Sequence, residues 1–522
     1  MYKKIKRYIF AMICFTVVFK SFAVCSASSE ESNLKKYERI IKQENKNEED
    51  KKDYIVITKD VKDKKEILEA YKDADEKNCI EVNKSDTLLL EDLSAEQADM
   101  LENMNDLLIV EEDGIVCANK VEEEDVKTVI DEEWNIEMIN ADNLDLQSEG
   151  NSRVKVAIID SGVDIGGDIP VYRSINFIPE EENVSPLFCD TTGHGTSVAG
   201  IIASLGEESN VKGINPNVEL YSLKVLDDNN TSPVSRIIEA IYWCIDNDIN
   251  IINMSFGTPN YSVALKNVVR EAYDKGILMI ASAGNTNGSQ YKTEYPAAFG
   301  EVIAVGSVNS IGEVSGYSIK EPIVEIYAPG ELIKTTGYFK GDMIVSGTSF
   351  SVPHIVGIAS LLWEKDMTCS NQFIRELIKV SANECVDDNS GKSYRIADAE
   401  YALKIYEQFK ETYDNNKNYK DIYNDNEKLE IDDSVNYVEG RWYSSLSKGI
   451  GHKTLADNAA EEVLGTTNST IAKIVKRGAT YPDKNKNEYY TLYGMTNNPQ
   501  WHGNFKKTNY FACYIYATKL AI

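Results

Sequence analysis

Between residues 150 and 410 the chain alternates short, almost continuous apolar runs with longer amphipathic stretches. The apolar runs are VKVAII, LYSLKVL, INIINMSF, GILMIASAG and EVIAVGSV. Runs of this length with helical-period segments between them read as strands buried on both faces. The pattern predicts an α/β domain: a doubly wound parallel sheet with helices on both faces. Functional side chains of such sheets gather at the carboxyl ends of the strands. Asp160 closes VAIID and Asn285 closes LMIASAGN, where that rule looks for them.

The flanks are patterned differently. Residues 28–53 are rich in Glu, Lys and Asn and poor in apolar residues, which predicts a disordered spacer. DYIVIT, TLLLEDL and LLIVEED then read as strands, with a charged helical stretch running through Ala74. Ser94 and Gln97 have capping-box spacing and open a helix over Ala95 to Asn105. The β-α-β-β-α-β succession predicts a small α+β domain over 54–120. Residues 411–436 are Asn- and Asp-rich and read as a linker, and 437–522 are aromatic enough to fold as a further domain of unknown role. Within that tail HKTLADNAAEEVL reads as a helix, and His452 and His502 are too few for a metal site.

Charge and the amino terminus narrow the setting. Lys3, Lys4, Lys6 and Arg7 precede an apolar stretch from Tyr8 to Phe19, with small residues at Ala23, Ser26 and Ala27. This is the layout of a secretory signal over 1–27, too short to span a bilayer, so a secreted or extracellular location is expected. FAVC, ending at Cys25, leaves lipidation and cell-envelope attachment open. No later stretch reads as a transmembrane segment. A net charge of −29 over 522 residues argues against nucleic acid as a partner. The nine cysteines show no metal-ligand spacing, though an oxidising compartment would permit a Cys369–Cys385 bridge.

Three segments carry chemistry: VAIIDSGVD around Asp160, TGHGTSVAGII around His194 and SGTSFSVPHIVG around Ser349. They supply an alcohol nucleophile, an imidazole base within its useful pH range and a carboxylate to orient that base. Ser349 precedes a helical apolar run, so free N–H groups at a helix start favour negative charge beside it. In sequence and in the order Asp, His, Ser, the segments resemble the subtilisin-like (subtilase) serine proteases. The resemblance implies catalytic roles for Asp160, His194 and Ser349, with Asn285 completing an oxyanion hole. It assigns the specificity-pocket edges to Ser255, Phe256 and Gly257 and to Ala281, Ser282, Ala283 and Gly284, and puts Glu294 at the pocket floor. It implies a structural Ca²⁺ held by Asp168 and Glu207 with nearby loop carbonyls, and no catalytic cofactor. His354, in the Pro-His pair after the nucleophile, is implied to pack inside the helix.

The same resemblance makes 54–120 a ferredoxin-like propeptide that inhibits its own catalytic domain, 121–410, until processed. The expected enzyme is a secreted, zymogenic serine endopeptidase acting on protein or peptide substrates. A carboxylate at the pocket floor would favour Lys or Arg before the cut, with self-cleavage after Lys120. One alternative is a dedicated processing peptidase resembling the lantibiotic leader peptidases. Another, from a different class, is a surface-binding protein that uses the protease fold as scaffold.

Overall fold

The computed structural model describes residues 33–42, 51–58, 61–72, 79–83, 86–104, 108–119, 134–142, 144, 153–165, 167–179, 190–207, 211–286, 292–321, 323–337, 341–386 and 393–415, and in the tail 437–438, 442–445, 480–483, 488–493 and 511–518. The signal-like residues 1–27, Lys120 and the helix expected at 452–464 lie outside the described residues. The chain divides into two compact units, Met1–Asp113 and Gly114–Ile522.

The first unit contains α1 (Asn33–Ile41), β1 (Lys51–Thr58), α2 (Val61–Lys72), β2 (Cys79–Glu81), β3 (Thr87–Ser94), α3 (Ala95–Met104) and β4 (Leu108–Glu112). Its sheet has the order β2-β3-β1-β4, antiparallel throughout, with Val56, Leu88 and Leu90 packed against Ile67 and Leu101. The capping box forms: Ser94 Oγ accepts the Gln97 N–H at 3.2 Å, and Gln97 Oε1 accepts the Ser94 N–H at 3.0 Å. The spacer expected at 28–53 is corrected by α1. Tyr37, Ile40 and Ile41 stand at i, i+3 and i+4, one helical face, and all are buried. Gln97 fastens α1 by donating Nε2–H to the Ile40 carbonyl at 2.8 Å. Averaged composition hides a short helix whose stability comes from the surface it packs on.

The second unit begins with β5 (Ile115–Ala118), α4 (Trp134–Met138), β6 (Lys155–Asp160), β7 (Val171–Asn176), α5 (His194–Ala203), β8 (Glu219–Lys224), β9 (Thr231–Pro233) and α6 (Val234–Asp246). It continues with β10 (Ile251–Met254), β11 (Phe256–Gly257), α7 (Val263–Asp274), β12 (Leu278–Ser282), β13 (Val302–Val308), β14 (Ile326–Pro329), β15 (Ile333–Thr336) and β16 (Asp342–Val345). It then runs through α8 (Thr348–Glu364), α9 (Asn371–Ser381), β17 (Asn383–Val386), β18 (Ser393–Ile396) and α10 (Ala399–Asn415).

Nine strands form one sheet in the order β17-β18-β14-β13-β12-β10-β6-β8-β7, parallel except for β17. Val156 and Ile158 of β6 face α5, α8 and α9 in one large core. Alternation turns Ala157 and Ile159 to the opposite face, where α6 packs on β6 and on α7. Strands buried on both faces need apolar residues at most positions, hence the almost continuous runs. α10 extends to Asn415, into the expected linker, because Phe409 and Tyr413 pack on Phe373. In the tail, five short strands pair antiparallel.

Candidate active site

Two elements bring the acid and the base together. β6 ends at Asp160, fully buried at the carboxyl edge of the sheet, and α5 starts at His194. Asp160 Oδ1 accepts the Ser161 N–H at 2.7 Å and lies 2.7 Å from His194 Nδ1, which fixes the ring and leaves Nε2 outward. This closeness needs a glycine after the histidine, since a Cβ at Gly195 would stand 2.1 Å from the Gly162 carbonyl. Asp190, which the sequence reading did not single out, ties the two loops. Its Oδ1 accepts from Ser161 Oγ at 2.9 Å and from the Gly193 N–H at 2.9 Å, and its Oδ2 accepts the Thr196 N–H at 2.9 Å. An aspartate just before Thr-Thr-Gly-His, where a helix must begin, was the available signal.

The nucleophile's position depends on a proline. Pro353 lies inside α8 and has no N–H for the Ser349 carbonyl four residues back. That carbonyl instead accepts from Ser255 Oγ at 2.8 Å, and Ser349 Oγ donates to the Ser255 carbonyl at 2.7 Å. The Ser349 hydroxyl is thus turned toward β11, and His194 Nε2 is buried without a hydrogen-bond partner. Asn285 is anchored through Oδ1, which accepts the Thr348 N–H at 3.1 Å and the Thr348 hydroxyl at 2.9 Å. Its Nδ2 is buried and unpartnered, an amide donor on the side chain that anchors Thr348, the residue before Ser349.

A strand of the same chain occupies the groove in front of these groups. β5 lies antiparallel between β11 and β9, with Phe256 opposite Ala118 and Ser232 opposite Val116. Val116 is buried between them while Ile115 is half exposed, the period-two alternation of an added strand. Asn119 follows: its N–H donates to the Ser255 carbonyl at 3.3 Å, and its carbonyl accepts the Ser349 N–H at 3.1 Å. The peptide carbonyl of Asn119 is therefore presented to the nucleophile's own amide. β9 was not anticipated from the sequence, because three residues carry no periodicity.

The side chain of Asn119 enters a pocket between the strand edges named above. Its Nδ2 donates to Ser282 Oγ at 2.9 Å, with the Glu294 carboxyl close beside it. Glu294 is buried there, held by its N–H on the Ala283 carbonyl at 3.0 Å. Burial pushes its carboxyl up to about 6, with the Asn119 amide opposing the shift. Glycine is required at the rim, since a Cβ on Gly257 would stand 2.2 Å from Glu294 Oε2. Glu294 lies between Gly257 and Gly284, with Asn119, the residue after β5, beside it. Pairing with β9 and β11 fixes that register.

Other expectations resolve simply. His354 is buried in α8, its Nδ1 on the Phe350 carbonyl at 2.8 Å and its Nε2 2.9 Å from Asn135 Nδ2; burial pulls its pKa down to about 4 and keeps it neutral. Cys369 and Cys385 are both free thiols, so the permitted bridge is not formed. Asp168 and Glu207 do meet, through the Glu207 N–H donating to Asp168 Oδ1 at 3.1 Å, and the Leu205 N–H bonds the Asp168 carbonyl at 2.9 Å. Among the described residues no three His, Cys, Asp or Glu side chains are grouped to hold a metal, and 208–210 lie outside them. No helix among the described residues is long and apolar enough to cross a membrane.

A buried Asp-His pair, a serine at a helix start and a parallel sheet that collects them at one edge define an α/β protein of the serine-triad class. A profile of the subtilase family (Peptidase_S8) matches residues 151–428, and the chain belongs to that family. It is 38% identical over 252 residues to a subtilisin of Bacillus pumilus, covering 48% of this chain and 90% of that protein. It is 36% identical over 257 residues to subtilisin DY of Bacillus licheniformis, covering 49% of this chain and 92% of that protein. Subtilisin E of Bacillus subtilis (strain 168) is 38% identical over 252 residues, and there the chain spans 48% of itself but 65%, just under two thirds, of the relative.

Proposed function

We propose that the protein is a secreted serine endopeptidase, made as a zymogen, that cleaves peptide bonds through an acyl-enzyme. The observation that carries this is the Asn119 carbonyl resting on the Ser349 N–H, with β5 paired into the groove as a substrate strand would be. For attack, rotation about the Ser349 side chain exchanges the Ser255 carbonyl for His194 Nε2. His194 takes the hydroxyl proton, and Asp160 keeps the tautomer and stabilises the imidazolium. The oxyanion sits between the Ser349 N–H and Asn285 Nδ2. Collapse expels the amine, protonated by His194, and water completes the cycle by the same path. In the precursor, the segment ending at Asn119 acts as intramolecular inhibitor, and the first unit is its folded propeptide. A fluorophosphonate probe should label the mature protein on Ser349, located by peptide mass. Stoichiometric labelling elsewhere, or none, would remove the assignment.

Asn285→Ala should lower kcat about 10²–10³-fold with KM nearly unchanged, the magnitude of the matching change in subtilisin itself, carried over from that case. Its Nδ2 has no ground-state partner to lose. Steady-state kinetics decide, and a raised KM at normal kcat would contradict the role.

Calcium fits a structural place. The Asp168 carboxylate and the carbonyls of its loop are hard oxygen donors of the kind Ca²⁺ takes. Glu207 stands in the loop after α5, which meets Asp168 through its N–H, and no chemical step passes through the ion. Chelation is expected to lower the Tm of the mature enzyme by several degrees, reversibly, and Asp168→Ala to abolish that dependence. Calorimetry with and without added Ca²⁺ measures both, and a Tm indifferent to chelator would exclude the site.

A further inference from the structure

The pocket that holds Asn119 has a definite hydrogen-bond polarity. Ser282 Oγ donates its own proton to the Phe256 carbonyl at 3.3 Å, so it offers Asn119 a lone pair. The Glu294 carboxyl places a second acceptor beside the same NH₂ group, Oε2 and Nδ2 standing 2.2 and 3.0 Å from one Cβ position at Gly257. Glu294 Oε2 has no partner in the protein, so the carboxyl keeps acceptor capacity toward the pocket. Depth is limited as well. A Cβ on Gly257 would lie 2.2 Å from Glu294 Oε2 and 3.0 Å from Asn119 Nδ2, so carboxyl and amide meet at the level of the β11 backbone. From the other side, a Cβ on Gly284 would stand 3.0 Å from the Glu294 carboxyl carbon.

We propose that this pocket selects a primary amide, making asparagine the preferred residue before the cut and the chain's own Asn119–Lys120 bond its first substrate. The inference rests on the endopeptidase reading and replaces the Lys or Arg preference expected from the sequence. A lysine ammonium stands two bonds further from the backbone than the Asn amide nitrogen, so its stem would have to pass the carboxyl it is meant to meet. An aspartate has the right length but brings acceptors to acceptors, and a second carboxylate beside Glu294 costs heavily when buried. Sites that hydrogen-bond a substrate NH reject an analogue lacking it by large factors, because buried polar groups are left unpaired. Hydrolysis of the Asn119–Lys120 bond adds one water, leaving a carboxylate on Asn119 and a free α-amine on Lys120.

The test uses the mature full-length protein and peptides of the frame Ile-Val-Cys-Ala-X, with X as Asn, Gln, Asp, Lys, Arg or Leu. kcat/KM for Asn is expected to exceed that for Asp at least 100-fold and those for Lys and Arg at least tenfold. The mature amino terminus should be Lys120. Glu294→Gln gives the pocket a donor, so cleavage after Asn should fall several-fold and cleavage after Asp rise, shrinking the Asn-to-Asp ratio at least tenfold. Lys, Arg or Leu cleaved faster than Asn overturns the proposal, as does an unchanged ratio in Glu294→Gln. If that variant does not fold, the wild-type series alone decides. Fluorophosphonate labelling separates the two levels. A labelled enzyme with another preference loses only the amide selection, whereas an unlabelled one that cleaves nothing loses the endopeptidase reading too.

Discussion

Ser349→Ala is expected to lower kcat about 10⁶-fold while the protein folds and melts almost as the wild type does. The magnitude is that of subtilisin, the reference case for serine removal, and is carried over from it. The sparing of the fold follows from the contacts of Ser349. Its carbonyl still accepts from Ser255 Oγ, and its N–H still holds the Asn119 carbonyl. Only the hydroxyl's bond to the Ser255 carbonyl is lost, and that carbonyl keeps the Asn119 N–H. Once an added protease has removed the precursor segment, a residual rate about 10³–10⁴ above water should survive from the oxyanion donors and groove alone. The variant should also accumulate as an uncut precursor. Peptide kinetics, intact mass of the purified product and circular dichroism read the three parts together. Normal turnover would end the mechanism, and a collapsed melting transition would mean that Ser349 is a structural residue.

The parts of this site that were legible in the sequence are those whose geometry demands particular residues in one short window. The apposition of Asp160 and His194 needs Gly195, and the released Ser349 carbonyl needs Pro353, so those segments are recognisable as strings. The central strands of the nine-strand sheet were legible for a similar reason, since burial on both faces leaves few polar positions. What escaped depends on partners far along the chain. α1 is stable because Gln97 and a packed surface lie more than fifty residues away. Asp190 acts through Ser161 and Thr196, and only folding brings all three together. The proposed move of the cut from Lys120 to Asn119 is a register effect. Strand addition has a period of two, so β9 and β11 decide which residue reaches the pocket. A carboxylate at a pocket floor suggests a cation until its depth and neighbours are known. Here Ser282 and Gly257 change that chemistry.

Asp160→Asn should cost about 10⁴-fold in kcat with KM little changed, although it replaces one atom and preserves shape. Asp160 Oδ1 serves two donors at once, the Ser161 N–H and His194 Nδ1. In the amide, if oxygen faces both donors, the ring stays oriented but no charge remains to stabilise the imidazolium. If the NH₂ faces Nδ1, the ring must carry its proton on Nε2 and cannot accept one from Ser349. Either arrangement stops proton transfer while β9, β11 and the Asn119 pocket, which give the Asp160 carboxylate no hydrogen bond among the described residues, bind peptide as before. The split between kcat and KM therefore distinguishes an orienting carboxylate from one that only supports the fold, whose loss would show first as a lowered Tm. The decisive comparison is the double variant. If Asp160 works only through His194 on Ser349, then Asp160→Asn in a Ser349→Ala background should cost almost nothing further. A multiplicative loss of another 10⁴-fold in that background would mean that Asp160 stabilises the transition state by a route independent of the serine.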